Sequence, residues 1–167
     1  MQSERTQFRE YTSWPGVAYA VLWGVVVLSC YPILAGWDGD VPYAARVPVV
    51  LLILFLVGLV VVAIGGLTVL VQESQIVMHL GRMPLIRKTV AFSEIVSIRS
   101  VEYRPLAEFG GWGVRGFGKR RAWTARGNRA VSLRLSGDRE LLIGSDHPQR
   151  LEERIRTLGG VTRDRRG

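Results

Sequence analysis

Two long stretches of this chain carry no charge. Val17 to Trp37 reads VAYAVLWGVVVLSCYPILAGW, 21 residues, and Val47 to Val71 reads VPVVLLILFLVGLVVVAIGGLTVLV, 25 residues. About 20 apolar residues in helical form cross roughly 30 Å of hydrocarbon, so each stretch is long enough to span a bilayer. An amphipathic surface helix would break such a run with polar residues every turn. The expectation is a transmembrane hairpin over 17–71, with spans at 17–37 and 47–71. Pro32 would bend the first helix near its end, and Trp14, Trp37 and Tyr43 fall at the expected water interfaces. A cleaved leader fits less well, because its apolar core is usually only about 7–15 residues. Gly58, Gly65 and Gly66 would let a neighbouring helix approach closely.

Charge sets the expected orientation. The nine-residue connector DGDVPYAAR holds two acids and one Arg, whereas Arg5 and Arg9 precede the first run and Arg82, Arg87 and Lys88 follow the second. The positive-inside rule then puts the connector outside and both termini in the cytoplasm. Residues 1–71 carry three Arg against four acids, a net of −1, and residues 72–167 carry nineteen Lys and Arg against ten acids, a net of +9. A neutral apolar half joined to a basic half reads as a membrane anchor carrying a soluble domain. Cys30 is the single cysteine, which excludes an intramolecular disulfide and any cysteine-based metal site.

Beyond Gln72-Glu73-Ser74 the apolar runs become short. Strands are expected near 75–80, 85–91, 94–103, 111–117, 121–126, 130–136 and 139–144. The clearest alternation sets Val131, Leu133 and Leu135 inward against Ser132, Arg134 and Ser136 outward. Ser136-Gly137-Asp138 and Arg126-Gly127-Asn128-Arg129 supply turn chemistry. A closing helix is expected after Ser145 or Asp146 as cap, with Pro148 in its first turn and Leu151, Ile155 and Leu158 along one face. Glu152 and Arg156 would pair on its outside, and Gly159-Gly160 would end it. The Arg-rich tail at 159–167 is expected to be disordered.

Seven antiparallel strands followed by one amphipathic helix resemble the pleckstrin-homology (PH) superfold, a bent barrel plugged by its C-terminal helix. The segments FGGWGVRG (109–116), RGNRAVSLRLSGDRELLIGS (126–145) and HPQRLEERI (147–155) are similar to those of bacterial PH-like membrane proteins. The resemblance implies a membrane-anchored α+β protein of the bacterial inner (plasma) membrane. A cytoplasmic segment (1–16) and the hairpin would precede a PH-like seven-stranded antiparallel barrel with a C-terminal helix over 72–158. It implies no particular ligand.

The stretch FGGWGVRGFGKRR (109–121) matches two phosphate-loop patterns, G-x-G-x-x-G from Gly111 and G-x-x-x-x-G-K ending at Lys119. Both patterns need a helix opening directly from the last glycine, and the second needs Ser or Thr where Arg120 stands. The downstream run has no helical period, so the glycines read better as bends in a strand, with Trp112 or Trp123 filling the adjoining space. His79 and His147 read as isolated surface histidines, and Glu94, Glu102 and Glu108 as solvated carboxylates. Neither a metal centre nor a nucleophile with its base is recognisable, and no cofactor is expected.

Six cations remain as the candidate site: Arg115, Lys119, Arg120, Arg121, Arg126 and Arg129. They read either as a solvated cationic edge or as a surface for anionic lipid headgroups, each worth about 1 kcal/mol beside a membrane. The expected function is therefore binding, by a non-enzymatic integral membrane protein whose partners are the bilayer, anionic headgroups, and a membrane protein or a second copy. Nucleic acid is disfavoured as a partner. A regulatory subunit of a larger transporter or enzyme complex is the alternative, and a nucleotide-dependent enzyme built on the glycine stretch is a third.

Overall fold

The computed structural model describes residues 5–36, 42–116, 118–160 and 162–163. Trp37, most of the acidic connector and the tail beyond 163 lie outside the described residues. The chain is α+β, with two apolar helices and two β-sheets. Helices α1 (Gly16–Ala35) and α2 (Tyr43–Ile64) are both long and apolar enough to cross a membrane. At 1.5 Å per residue they measure about 30 and 33 Å. They meet through a small cluster around Val26, Cys30 and Val50, and most of their remaining apolar surface is exposed.

The second charge-free run is not all helix. α2 stops at Ile64, and strand β2 (Gly66–Val71) follows after Gly65 alone. Strand β1 (Phe8–Ser13) lies before α1 and pairs with β2 in antiparallel register, Ser13 opposite Gly66 and Phe8 opposite Val71. The helical hairpin is thus inserted between two neighbouring strands of one sheet. Three donors meet at the joint on the Gly65 carbonyl: the Trp14 amide at 3.1 Å, the Tyr19 hydroxyl at 2.8 Å and the Tyr11 hydroxyl at 3.4 Å. Gly65 and Gly66 therefore serve the joint. A Cβ at Gly66 would meet the Thr12 carbonyl of β1 at 2.7 Å.

β3 (Gln75–Leu80) and β4 (Arg87–Ala91) complete an antiparallel sheet in the order β1-β2-β3-β4. A single 3-10 turn at Phe92–Glu94 then redirects the chain into β5 (Ile95–Glu102). A one-turn helix, α3 (Pro105–Phe109), leads to β6 (Gly113–Arg115), β7 (Arg120–Thr124), β8 (Arg129–Leu135) and β9 (Arg139–Gly144). Helix α4 (Pro148–Gly159) and the two-residue β10 (Thr162–Arg163) close the fold. The second sheet runs β10-β5-β8-β9-β7-β6.

The expected closed, all-antiparallel barrel is not formed. The sheets stay separate, and β9 lies between β8 and β7, parallel to β7. The 125–128 turn therefore carries the chain across a neighbour and does not make a hairpin. Close packing permits this, since a Cβ at Gly144 would stand 3.0 Å from Thr124 Cα. The β8–β9 hairpin is formed as expected, through the three residues Ser136, Gly137 and Asp138, the last two at φ 77° and 56°.

One core joins the inner faces of both sheets with α4. Leu67, Val69 and Val71 of β2 and Ile76 and Met78 of β3 pack with Val131, Leu133 and Ile143, and with Leu151 and Ile155 of α4. Fully burying each such aliphatic side chain contributes about 1.5–3 kcal/mol. One expectation for α4 is extended and another corrected. At its N-terminal end the Ser145 hydroxyl does accept the His147 amide at 3.0 Å, but β1 adds an acceptor that was not expected: Glu10 receives the Ser145 hydroxyl at 2.7 Å and the Asp146 amide at 2.8 Å. Glu152 is buried and accepts the Ser100 amide at 2.8 Å and hydroxyl at 2.5 Å, so it faces β5 and not Arg156.

Candidate functional site

The glycine stretch builds the β6–β7 edge of the second sheet. Gly110, Gly111, Gly113, Gly116 and Gly118 all have positive φ, which L residues with a Cβ adopt only at a cost. At Gly116 a Cβ would also lie 2.3 Å from the Arg120 carbonyl. The chain continues from these glycines into β7, with no helix opening from the last of them. Trp123 enters the core, while Trp112 stays half-buried and donates its indole N–H to the Gly127 carbonyl at 2.8 Å.

Alternation along β7 sends Arg120, Ala122 and Thr124 to one face, and Arg121, Trp123 and Ala125 to the other. The first face carries a second small cluster of Tyr103, Ala122, Ala130 and Leu142, flanked by Phe109. Arg120 lies over the Phe109 ring at 5.0 Å and is paired with Glu108 at 2.9 Å and Glu140 at 3.0 Å. The Arg104 amide, donating to Glu108 at 2.8 Å, is the main reason that carboxyl lies below its usual range, and Arg120 adds to it. Lys119 meets Asp138 at 3.4 Å, a pair exposed on both sides and so worth little.

The six cations do not form one patch. Lys119, Arg120 and Arg121 stand at the start of β7. Arg126 and Arg129 follow its far end, about 13 Å away at 3.3 Å per residue. Arg126 forks onto Asp146 at 2.7 and 3.3 Å and reaches the Ser13 hydroxyl at 3.4 Å. That contact places the 125–129 turn beside the entry to α1. Arg129 is exposed there. Arg115, on the edge strand β6, donates to the Trp112 carbonyl at 3.2 Å.

Arg121 approaches the other sheet. Burial holds the Lys88 ammonium of β4 below its usual range, and the charges of Arg121 and Arg139 lower it further against a smaller pull from Glu94. Glu94 is itself bonded to Arg139 at 3.0 Å. Positive charge therefore exceeds negative where the β4 edge meets the starts of β7 and β9, and an anion would be favoured there.

Sequence proximity missed the cations that share a hollow on the second sheet. A cavity of about 450 Å³ lies on the outer face of the second sheet, lined by Ser97, Arg99, Arg120, Ser132, Arg134 and Glu140 among others. Register assembles it: Ser97 opposes Arg134 and Arg99 opposes Ser132 across β5 and β8. Ser132, expected outward, does face this side, yet it is buried and donates to Glu140 at 2.7 Å. An adjoining cavity of about 320 Å³ shares Arg99, Arg120 and Glu140 and reaches Tyr103, whose buried hydroxyl has a raised pKa, burial being the main cause.

His79 is buried in β3, correcting the surface reading, while His147 is exposed. Among the described residues no three His, Cys, Asp or Glu side chains gather as a metal site would need. The arrangement offers charge-assisted binding of anionic groups. Comparison with protein-family models, with curated proteins and with solved structures gave no match.

Proposed function

We propose that this chain is a two-span membrane protein that acts by binding, with its basic two-sheet domain held against the cytoplasmic face of the bacterial inner membrane. The insertion of the helical hairpin between β1 and β2 carries this reading. With Trp14-Pro15 on one side and Gly65 on the other as the only residues between strands and helices, the domain has no tether and must lie directly under the bilayer. The excess of Arg and Lys flanking the hairpin over its connector favours cytoplasmic termini. Arg129, beside the entry to α1, then faces anionic headgroups. The starts of β7 and β9, with Arg121 and Lys88, present a second cationic end suited to an acidic partner. A shallow apolar hollow on α1, lined by Trp23, Gly24, Val27, Leu28 and Tyr31, favours a second reading in which a partner helix packs there and the protein is an accessory subunit.

Photo-crosslinking of the full chain in native membranes tests both. A crosslinker replacing Arg129 should capture lipid, and one replacing Arg121 should capture a protein. A crosslinker at Val27 that yields a stoichiometric membrane protein would favour the subunit reading. Absence of any adduct at Arg129 and Arg121 would refute the proposal.

A further inference from the structure

The turn between β3 and β4 has the wrong chemistry for a turn facing water. It reads Gly81-Arg82-Met83-Pro84-Leu85-Ile86, where turns ordinarily carry polar residues. Its side chains are open: Met83 is 42% exposed, Leu85 70% and Ile86 48%. Four consecutive exposed apolar residues at a hairpin tip would be a liability in solution.

Its position is fixed by one hydrogen bond to the end of α2 and two to β2. The Arg82 amide donates to the Val62 carbonyl at 3.0 Å, the Gly81 amide to Gly66 at 2.7 Å, and the Thr68 hydroxyl to the Gly81 carbonyl at 2.7 Å. Val62 lies two residues inside α2, about 3 Å along the helix axis from its end. The turn therefore begins at the depth where the apolar helix ends, and the last turns of that helix expose apolar side chains of their own at Val60 and Val62. Exposed cations bracket the tip. Arg82 lies over the Tyr11 ring at 5.5 Å, and Arg87 opens β4. An apolar tip between cations at an interface matches the layering of a bilayer, with acyl chains beneath phosphate.

We infer that the β3–β4 turn inserts into the bilayer beside α2, with Met83, Leu85 and Ile86 at the acyl–headgroup boundary and Arg82 and Arg87 on lipid phosphates. This rests on the reading of α1 and α2 as membrane spans. It gives the domain a further attachment besides its two helix junctions, and so fixes which edge of the first sheet faces the membrane.

The test uses the full chain with Cys30→Ala, reconstituted in vesicles of phosphatidylcholine and phosphatidylglycerol. Single cysteines are introduced by Leu85→Cys, Leu56→Cys within α2, or Ser136→Cys in the β8–β9 turn, and each is labelled with an environment-sensitive fluorophore. Lipids carrying a quencher shallow or deep in the acyl chain are then compared. Position 85 should be quenched more by the shallow lipid, position 56 more by the deep one, and position 136 by neither. Quenching at 56 without quenching at 85 overturns the inference and leaves the membrane reading intact. No quenching at 56 overturns the membrane reading itself, and the inference with it. A blue-shifted but unquenched probe at 85 would mean that protein covers the turn, and would also overturn it. Because Leu85 is largely exposed, its replacement leaves the core untouched.

Discussion

Replacing Gly81 by Ala tests how tightly the β3–β4 turn is clasped to α2. Gly81 has φ +63°, and a Cβ there would sit 2.2 Å from the Ala63 carbonyl oxygen, 2.4 Å from the Ala63 carbonyl carbon and 2.6 Å from the Val62 oxygen. All three are backbone atoms, so no side chain can swing away to relieve the contact. The left-handed conformation alone costs an L residue about 1 kcal/mol. Relieving the clash means withdrawing the turn, which stretches the Gly81–Gly66, Arg82–Val62 and Thr68–Gly81 hydrogen bonds. Losing two of them costs about 2 kcal/mol more, since each contributes about 1 kcal/mol net and Thr68 is buried. The expected total is about 3 kcal/mol. Gly127 is the control, with φ +73° and nothing within 4 Å of its Cβ position. Gly127→Ala should cost only the conformational term, about 1 kcal/mol. At about 3 °C per kcal/mol for a chain of this size, the midpoints should fall by about 9 °C and 3 °C, read by tryptophan fluorescence on the detergent-solubilised full chain. Equal shifts for the two variants would refute the close approach of the turn to α2.

Glu10→Ala should cost about 1–2 kcal/mol in denaturant unfolding and speed amide exchange at Asp146 and His147, both of which donate to Glu10; unchanged exchange would show that β1 does not anchor α4. Glu108 has a lowered folded-state pKa, so its contribution to stability is present above the ordinary carboxylate pKa and is lost as pH falls through the lowered value. The Arg104 amide resonance should titrate in that acid window, and Glu108→Gln should abolish the titration. A fragment starting at residue 72 lacks β1 and β2 and leaves Ile76 and Met78 without the strand they pack beside, so it should aggregate. A chain joining 5–15 to 65–163 through a short linker should instead give dispersed amide spectra.

The elements that local patterning revealed are those whose partners lie on an adjacent strand. β3 and β9 were expected at their observed bounds, and Leu151, Ile155 and Leu158 identified the buried face of α4. β1 gave no signal because its inner face reads Phe8, Glu10, Thr12, two of the three polar, and the partners of Glu10 are remote in sequence. Glu10 meets Ser145, 135 residues away. Glu152 was misplaced for the same reason, since its partner Ser100 lies 52 residues back. The candidate site failed in a related way. Closeness in sequence grouped Arg120 with Arg126, which the length of β7 separates, while strand register brought Arg99 and Arg134 to one hollow from segments that sequence kept apart.

The largest revision, the end of the second span, also changes what the domain can do. GLTVLV is as apolar as the helix before it, because β2 is a central strand of its sheet and packs its inner face into the core. Only the Gly65-Gly66 pair marked the boundary. Had the apolar run continued as helix to Val71, a few polar residues would have joined the span to a domain free to swivel. As a strand, the same residues pair along their whole length with β1, which leads into α1. Rotating the domain against the hairpin would therefore break strand pairing or the donors gathered on Gly65, not merely bend a linker. If α1 and α2 are membrane spans, as proposed, a rigid joint of this kind makes the face presented to the bilayer a property of the fold, and an apolar turn placed beside α2 would then serve as an attachment.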